Sequence, residues 1–421
     1  MSFVMDKFIP YGHQWIDEDD ISAVIGALRS DWLTGGPKVE EFESALADYC
    51  GAEYAIAVSN GTAALHVAML AAGVEPGDRV LTSAITFLAS ANCAEFVGAS
   101  VDFMDIDSDN LCINLNSIKT SWRKDVKAVI PVDFSGYPCL SREISDYIHE
   151  RGALVIEDGC HAIGAERDGY KIGALPWADM TCFSFHPVKT ITSGEGGAIL
   201  TDDFKLAERC CRFRNHGMIK KSQAMSEQEW EKPIPILAER GPWYYEMTEL
   251  GFNYRITDLQ CALGLSQLKK LELFIKRRKE IVDRYNQGFG GLKYLKLPIS
   301  SRLPQAINTP ELEDNSTPSQ KPDLLRPAWH LYVLRIDFDA IGKSRTEVMT
   351  ELCEAGVGTQ VHYIPVYLQP YYREKYGFSV GKCPTAETYY QQCLSIPLYP
   401  ALTDEEIDYV IQTIKKVLKP I

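Results

Sequence analysis

The chain has 421 residues, 46% hydrophobic and 24% charged, a composition that suits a packed globular protein with room for two cores and excludes a disordered or fibrous one. Its 57 acidic residues outnumber 43 basic ones, and the net charge of −14 argues against a general binder of nucleic acid or of anionic membranes, both of which need an extended positive field. The sequence does not open on a basic segment followed by an apolar run of signal length, and it holds no stretch of about 18 apolar residues, so the expectation is a cytoplasmic protein with no membrane span.

Short apolar runs recur along the first half with helical stretches between them: 54–58, 79–83, 101–106, 127–133, 153–157, 180–185 and 197–201. Runs that are apolar throughout, without alternation, imply strands covered on both faces, and hence a mainly parallel seven-stranded sheet between helix layers. From Thr257 the pattern changes to one long amphipathic helix, TDLQCALGLSQLKKLELFIKRRKEIVDRY, opened by a Thr257-x-x-Gln260 capping box and carrying apolar residues at Leu259, Leu263, Leu268, Leu271, Ile275 and Val282. Residues 296–327 are proline-rich and read as loop, after which 329–338 resumes as a strand, 344–355 as a helix, and a second capping box, Thr403-x-x-Glu406, starts a final helix. The expected division is a large α/β domain over 1–256, a linking helix over 257–290, and a smaller C-terminal α+β domain over 291–421. Twelve cysteines are scattered without a CxxC pair and the eight histidines do not join them at ligand spacing, so buried reduced thiols and no structural metal are expected.

Three segments carry candidate chemistry. In FSFHPVKTITSGEGGAIL (183–200), Lys189 sits between an apolar strand and a glycine-rich turn. Among Phe183, Phe185, Val188 and Ile191 its amine would lose protonation and become a nucleophile for a carbonyl, or it is an exposed turn lysine. In ALVIEDGCHAIGA (153–165), Asp158 ends a strand at the edge of the sheet where ligands of open α/β folds bind. There it can keep a pyridinium nitrogen protonated, or it can cap a helix. In AVSNGTAALHVAML (57–70), Ser59-Asn60-Gly61-Thr62 leads from a strand into an Ala/Leu-rich helix whose free amides suit a phosphate, with Ser59 or Thr62 as caps on the plainer reading.

The order of these parts, with an aromatic in TSAITFLASAN (82–92) between the first and second, resembles the fold-type-I pyridoxal phosphate enzymes. Within these it resembles the DegT/DnrJ/EryC1/StrS sugar aminotransferases, whose lysine turn looks like HPVKTITSGEGGA here. The resemblance extends from WLTGGPKVEEFE (32–43) through RNHGMIK (214–220), WYYEMTELGFNYRITDLQCALGLSQLKKL (243–271), WHLYVLRI and VHYIPVYLQPYYR (361–373) to LSIPLYPALTDEEIDYVI (394–411).

The resemblance implies a fold-type-I α/β architecture, pyridoxal 5'-phosphate as cofactor, and Lys189 as Schiff-base lysine and proton shuttle. It implies Asp158 as partner of the pyridine nitrogen, Phe87 stacked on the ring, and His161 near the phenolic oxygen. Gly61, Thr62 and Ser184 would hold the phosphate. Asn253 would reach the phosphate of a partner subunit's cofactor, so that a homodimer shares its sites. His186 is placed beside the sugar, or is satisfied by backbone groups. Arg214, His216 and Arg255 are candidates for a nucleotide diphosphate, or for ion pairs. The implied reaction moves an amino group from L-glutamate, leaving 2-oxoglutarate, to C4 of a UDP-linked 4-keto-6-deoxy-N-acetylhexosamine, as in pseudaminic acid-type sugar biosynthesis; the alternative is a different nucleotide-linked 3-keto or 4-keto sugar. Relatives that dehydrate their substrate carry histidine at the lysine position, which Lys189 argues against. The absence of GxGxxG and Walker motifs removes the fingerprint of a plain nucleotide-binding protein.

Overall fold

The computed structural model describes residues 8–220, 241–298 and 325–420, so the segment 222–242 and the loop expected over 296–327 lie largely outside the described residues. The central sheet holds seven strands: β1 (Tyr54–Val58), β2 (Arg79–Ser83), β3 (Ser100–Met104), β4 (Val126–Ile130), β5 (Leu154–Asp158), then, after a small hairpin of β6 (Glu166–Arg167) and β7 (Tyr170–Lys171), β8 (Met180–Ser184) and β9 (Gly197–Thr201). Their spatial order is β1-β9-β8-β5-β4-β2-β3. Only β9 runs antiparallel to its neighbours, while β3, β2, β4, β5 and β8 pair in parallel. All seven expected runs are strands. The run expected over 127–133 stops at Ile130 because Pro131 has no N–H to give the ladder, and the chain is then held by backbone bonds between Asp133 and Asp158.

The apolar side chains of these strands alternate between two cores. One face packs against α3 (Gly61–Ala71), α4 (Ala89–Phe96) and α7 (Phe204–Arg214); the other packs against α2 (Pro37–Cys50), α5 (Leu115–Ser121), α6 (Arg142–His149) and α8 (Asp258–Leu268). The helix α1 (Glu18–Leu28) lies against α8. Each fully buried Leu, Ile or Phe in such a core contributes about 1.5–3 kcal/mol over its exposed state, which is why both faces of the sheet must be covered.

The single helix expected from Thr257 is two. The capping box at Thr257 is formed as read, but α8 ends at Leu268 and α9 runs over Leu271–Phe289. At the break Gln267 and Lys270 both turn onto the buried carboxylate of Asp20, at 2.7 and 3.0 Å. Apolar spacing continues across this bend, so periodicity alone did not reveal it. The bend also gives α9 two partners: Leu271, Phe274 and Ile275 enter the core of the large sheet, and Ile281, Val282, Tyr285 and Phe289 enter a third core. That third core surrounds a three-stranded sheet of 295–296, Tyr332–Ile336 and Cys393–Ile396 with helices Arg345–Glu354 and Asp404–Val417, the last opened by the expected Thr403 capping box. Ile9 belongs to it as well, bonded to the 356–358 turn, so the N-terminal segment crosses to the C-terminal unit.

The cysteines are free, but they are not uniformly buried. Cys211 and Cys353 are exposed and Cys160 is half-buried.

Candidate active site

A cleft of about 890 Å³ opens at the C-terminal ends of the parallel strands. The large domain supplies the turn at the start of α3, the 86–89 turn after β2, Asp158 to His161 after β5, and Ser184 to Lys189 after β8; the opposite wall comes from Tyr11, His330 and the segment 360–364. Strand ends converge here because a parallel sheet puts all its following turns on one side.

The α3 turn is built for close approach. Asn60, not Ser59 or Thr62, is the cap: its Oδ1 accepts from the Ala63 amide at 2.8 Å. Gly61 and Thr62 then begin the helix with amides that no intrahelical carbonyl can satisfy, at the cleft wall. A Cβ on Gly61 would stand 2.7 Å from Ser184 Cβ, and one on Gly197 2.5 Å from the Asn60 carbonyl oxygen, so the glycines let β8, β9 and the turn press together and bring the Ser184 hydroxyl beside the free amides. Amides at the positive end of a helix with adjacent hydroxyls fit a dianionic phosphate. Gly61→Ala is therefore expected to weaken pyridoxal phosphate binding by about 5- to 150-fold, through about 1–3 kcal/mol of overpacking at the cradle. Titration of the cofactor by its visible absorbance reads this directly; unchanged affinity would show that the turn does not hold the phosphate.

Asp158 ends β5 and lines the cleft at 6% exposure. It caps no helix. Its Oδ2 accepts from the Ser90 hydroxyl at 2.6 Å and its Oδ1 from the Cys160 amide at 3.1 Å, and Ser90 is held in turn by Thr86 at 2.7 Å. A carboxylate so fastened has one orientation. Lys189 is half-buried in a turn closed by its own amide on the His186 carbonyl at 2.8 Å. Burial pushes its ammonium below the ordinary lysine value, against the pull of Cys160 and Asp158.

His161 is buried and its Nδ1 accepts from the Ser135 amide at 3.2 Å, which leaves the hydrogen on Nε2, 3.4 Å from the Tyr363 hydroxyl. Burial, with the nearby Lys189 and His362, holds it well below the ordinary histidine value, so it is neutral. Phe87 stands 55% exposed in the cleft with its ring 6.2 Å from that of Tyr363, an aromatic face kept open to a ligand. His186 is exposed at the rim; its Nδ1 accepts only a long bond, 3.4 Å, from the Val188 amide.

The remaining candidates do not enter this cleft. Arg214 is tied to the Glu43 carboxylate and, at 2.7 Å, to the Ala57 carbonyl, which is the ion pair of its two expected readings. Arg255 bonds the Asn215 side chain at 2.7 Å, and with Arg214 it lines a separate cavity of about 540 Å³. His216 and Asn253 are exposed on the adjoining strip, where the 215 and 253 backbones bridge. Among the described residues lining the cleft, Lys189 is the only lysine or arginine.

Sequence reasoning missed the opposite wall. His330 and His362 are buried and both held below the ordinary histidine value, His362 at about 4, chiefly by burial. The His330 ring lies 4.3 Å from that of His161, and its carbonyl is gripped by Arg278 of α9 at 3.3 Å. WHLYVLRI and VHYIPV were both visible as motifs, but a histidine inside an apolar run reads as core until a second domain is laid across it.

The fold is that of a pyridoxal phosphate-dependent sugar aminotransferase. The chain belongs to the DegT/DnrJ/EryC1/StrS aminotransferase family, whose sequence model matches residues 14–415. It is similar over 415 residues, 98% of each chain, to the spore coat polysaccharide biosynthesis protein SpsC of Bacillus subtilis, at 38% identity. It is also similar over 418 residues, again 98% of each, to the UDP-4-amino-4,6-dideoxy-N-acetyl-beta-L-altrosamine transaminase of Campylobacter jejuni, at 34% identity. Among solved structures it superposes on Helicobacter pylori PseC, an aminotransferase involved in the biosynthesis of pseudoaminic acid, with a TM-score of 0.83 and 26% identity, covering 98% of this chain and 99% of that one. Among the described residues no helix is long and apolar enough to cross a membrane.

Proposed function

We propose that this aminotransferase moves the amino group of L-glutamate to C4 of a UDP-linked 4-keto-6-deoxy-N-acetylhexosamine, on a route to pseudaminic acid-type sugars. The observation that carries the reading is the conjunction, in one cleft, of a desolvated Lys189, an anchored Asp158 and the Gly61-Thr62-Ser184 cradle. The 34% identity to the altrosamine transaminase along the whole chain supports the substrate.

Bound pyridoxal phosphate supplies an electron sink for the carbanion formed when the donor loses its α-hydrogen. Gly61, Thr62 and Ser184 hold the phosphate end, Phe87 covers the ring, and Asp158 faces the ring nitrogen and keeps it protonated. His161, with its hydrogen on Nε2, donates toward the phenolic oxygen. Lys189, once its amine is free, takes the proton from the α-carbon of glutamate and in the second half-reaction returns one to C4 of the sugar. His186 at the rim contacts the sugar. With Lys189 the only lysine or arginine of the described lining, the diphosphate of a nucleotide sugar needs positive charge from elsewhere. A homodimer meets that need, with Asn253, His216 and Arg255, exposed outside their own cleft, serving the partner's.

The test is incubation with L-glutamate and a panel of UDP- and dTDP-linked 3-keto and 4-keto hexoses, with the aminated product identified by mass and NMR. Amination at C4 of the UDP-linked 4-keto-6-deoxy-N-acetylhexosamine is expected. Turnover of a dTDP-linked 3-keto sugar alone would overturn the substrate. A second reading, another nucleotide-linked keto sugar destined for a surface polysaccharide, is favoured by the 38% identity to SpsC and is decided by the same panel.

A further inference from the structure

Behind the cleft two carboxyl groups lie in a dry spot, across the sheet from a third. Glu157 and Asp158 are consecutive on β5, so their side chains leave opposite faces of the sheet. Asp158 faces the cleft, while Glu157 turns to the other side, where its Oε2 accepts from the Thr181 hydroxyl of β8 at 2.9 Å. Asp133, just after β4, donates its amide to the Asp158 carbonyl at 3.1 Å and accepts the Cys139 amide on Oδ1 at 2.7 Å. Glu157 and Asp133 are both 0% exposed, and the oxygen left over on each, Glu157 Oε1 and Asp133 Oδ2, is buried without a donor. The charge of Glu157 bears directly on Asp133. With both ionised, neither leftover oxygen has a donor, so burial favours a proton on one of them.

We propose that Asp133 and Glu157 share one proton as a carboxyl–carboxylate pair, and that the pair is a positioning device that holds Asp158 at the cleft wall as an anion. The inference rests on the reading of Asp158 as partner of the ring nitrogen. Three ionised carboxylates around one stretch of sheet would repel one another and push the proton onto whichever could take it. With the proton lodged on the far side of the sheet, Asp158 keeps its charge and its bonds to Ser90 and Cys160.

The groups that face the pair bear this out in sign. Burial, then the charges of Glu157, Cys139 and Asp158, push Asp133 well above the usual carboxylate range. Burial pushes Glu157 up to about 7, against the Thr181 hydroxyl, the neighbouring Asp133 and the Arg167 guanidinium of β6, and with help from Asp158. Cys112, beside Cys139, is held protonated by the same burial. The folded chain therefore keeps a proton that an unfolded glutamate releases near its ordinary value of about 4.3, and the stability tied to it fades as pH rises from there to about 7. His161, His330 and His362, held low, act in the opposite direction, so the difference between wild type and a variant is the informative quantity.

The experiment uses the full chain with and without pyridoxal phosphate, as wild type, Glu157→Gln, Asp133→Asn and Glu157→Ala. Infrared spectra without cofactor should show a protonated carboxyl band near neutral pH that shifts in Glu157→Gln, where Asp133 faces an amide, and loses intensity in Asp133→Asn. The Tm of Glu157→Gln relative to wild type should rise by about 2–4 °C between about pH 5 and pH 8, because the amide imitates the protonated acid, while Glu157→Ala loses stability at both. With cofactor, the pH response of the visible absorption should shift in Glu157→Ala and return toward wild type in Glu157→Gln. Absence of the carboxyl band together with a flat Tm difference overturns the pair. A band without any spectral shift overturns the positioning of Asp158. A band in protein that binds no pyridoxal phosphate supports the pair and sinks the cofactor reading, so the two failures are distinct.

Discussion

Lys189→Ala is expected to slow transamination by on the order of 10⁴-fold, because it removes both the nucleophile and the proton carrier. The side chain is half-buried, and its ammonium is held below the ordinary lysine value mainly by burial. The amine form grows as pH rises through that lowered value, so the single-turnover proton transfer, in which the Lys189 amine is free, should slow on acidification from a pH below the ordinary lysine range. Lys189→Arg, which keeps a cation but has no amine to deprotonate, should be as inactive as the alanine variant. Single-turnover release of 2-oxoglutarate measures the loss, and the visible band of bound cofactor should change with it. The alanine variant should unfold no more easily than wild type, since it gives up a desolvated charge rather than a core contact. A variant that retains more than about a tenth of the wild-type rate would remove Lys189 from the chemistry.

Asp158→Asn should cost about 10²–10³-fold in kcat, the usual scale for losing a preorganised charge at a reacting centre. The amide keeps the shape and can still accept from Ser90 or Cys160, so the fold and the Gly61-Thr62-Ser184 cradle stay in place. What is lost is the negative charge that keeps the ring nitrogen protonated. Cofactor affinity should weaken far less than kcat, and that separation distinguishes an electronic role from a merely structural one. Paired measurement of kcat and pyridoxal phosphate Kd decides it; equal losses in both would make Asp158 a binding residue only.

The near wall of the cleft was legible in the sequence because each of its parts is local. Lys189 lies in a turn between two strands, Asp158 ends an apolar run, and Gly61 and Thr62 open a helix straight after β1, so a few neighbouring residues announce each of them. The far wall was not legible. Tyr11, His330, His362 and Tyr363 come from segments separated by 50 residues or more from the turns they face, and nothing in their own neighbourhoods marks them as other than core. Arg214 shows the converse case. A basic residue in an acidic chain suits an anion site or an ion pair, and only the fold brings Glu43, distant in sequence, to it.

By itself, then, the sequence determined the seven strands and their mainly parallel pairing, the two capping boxes, the turn that carries Lys189 and the family. All of these follow from periodicity, propensity and motifs that act within a few residues. Only the tertiary structure decided that the helix after Thr257 bends onto Asp20, that Asn60 is the cap, and that two histidines close the cleft. It alone decided that Arg214 pairs inward and that Asp133 and Glu157 are each buried with one oxygen lacking a donor. Those outcomes depend on which distant groups burial forces together, and a buried charge or donor must find its partner wherever the packing brings one.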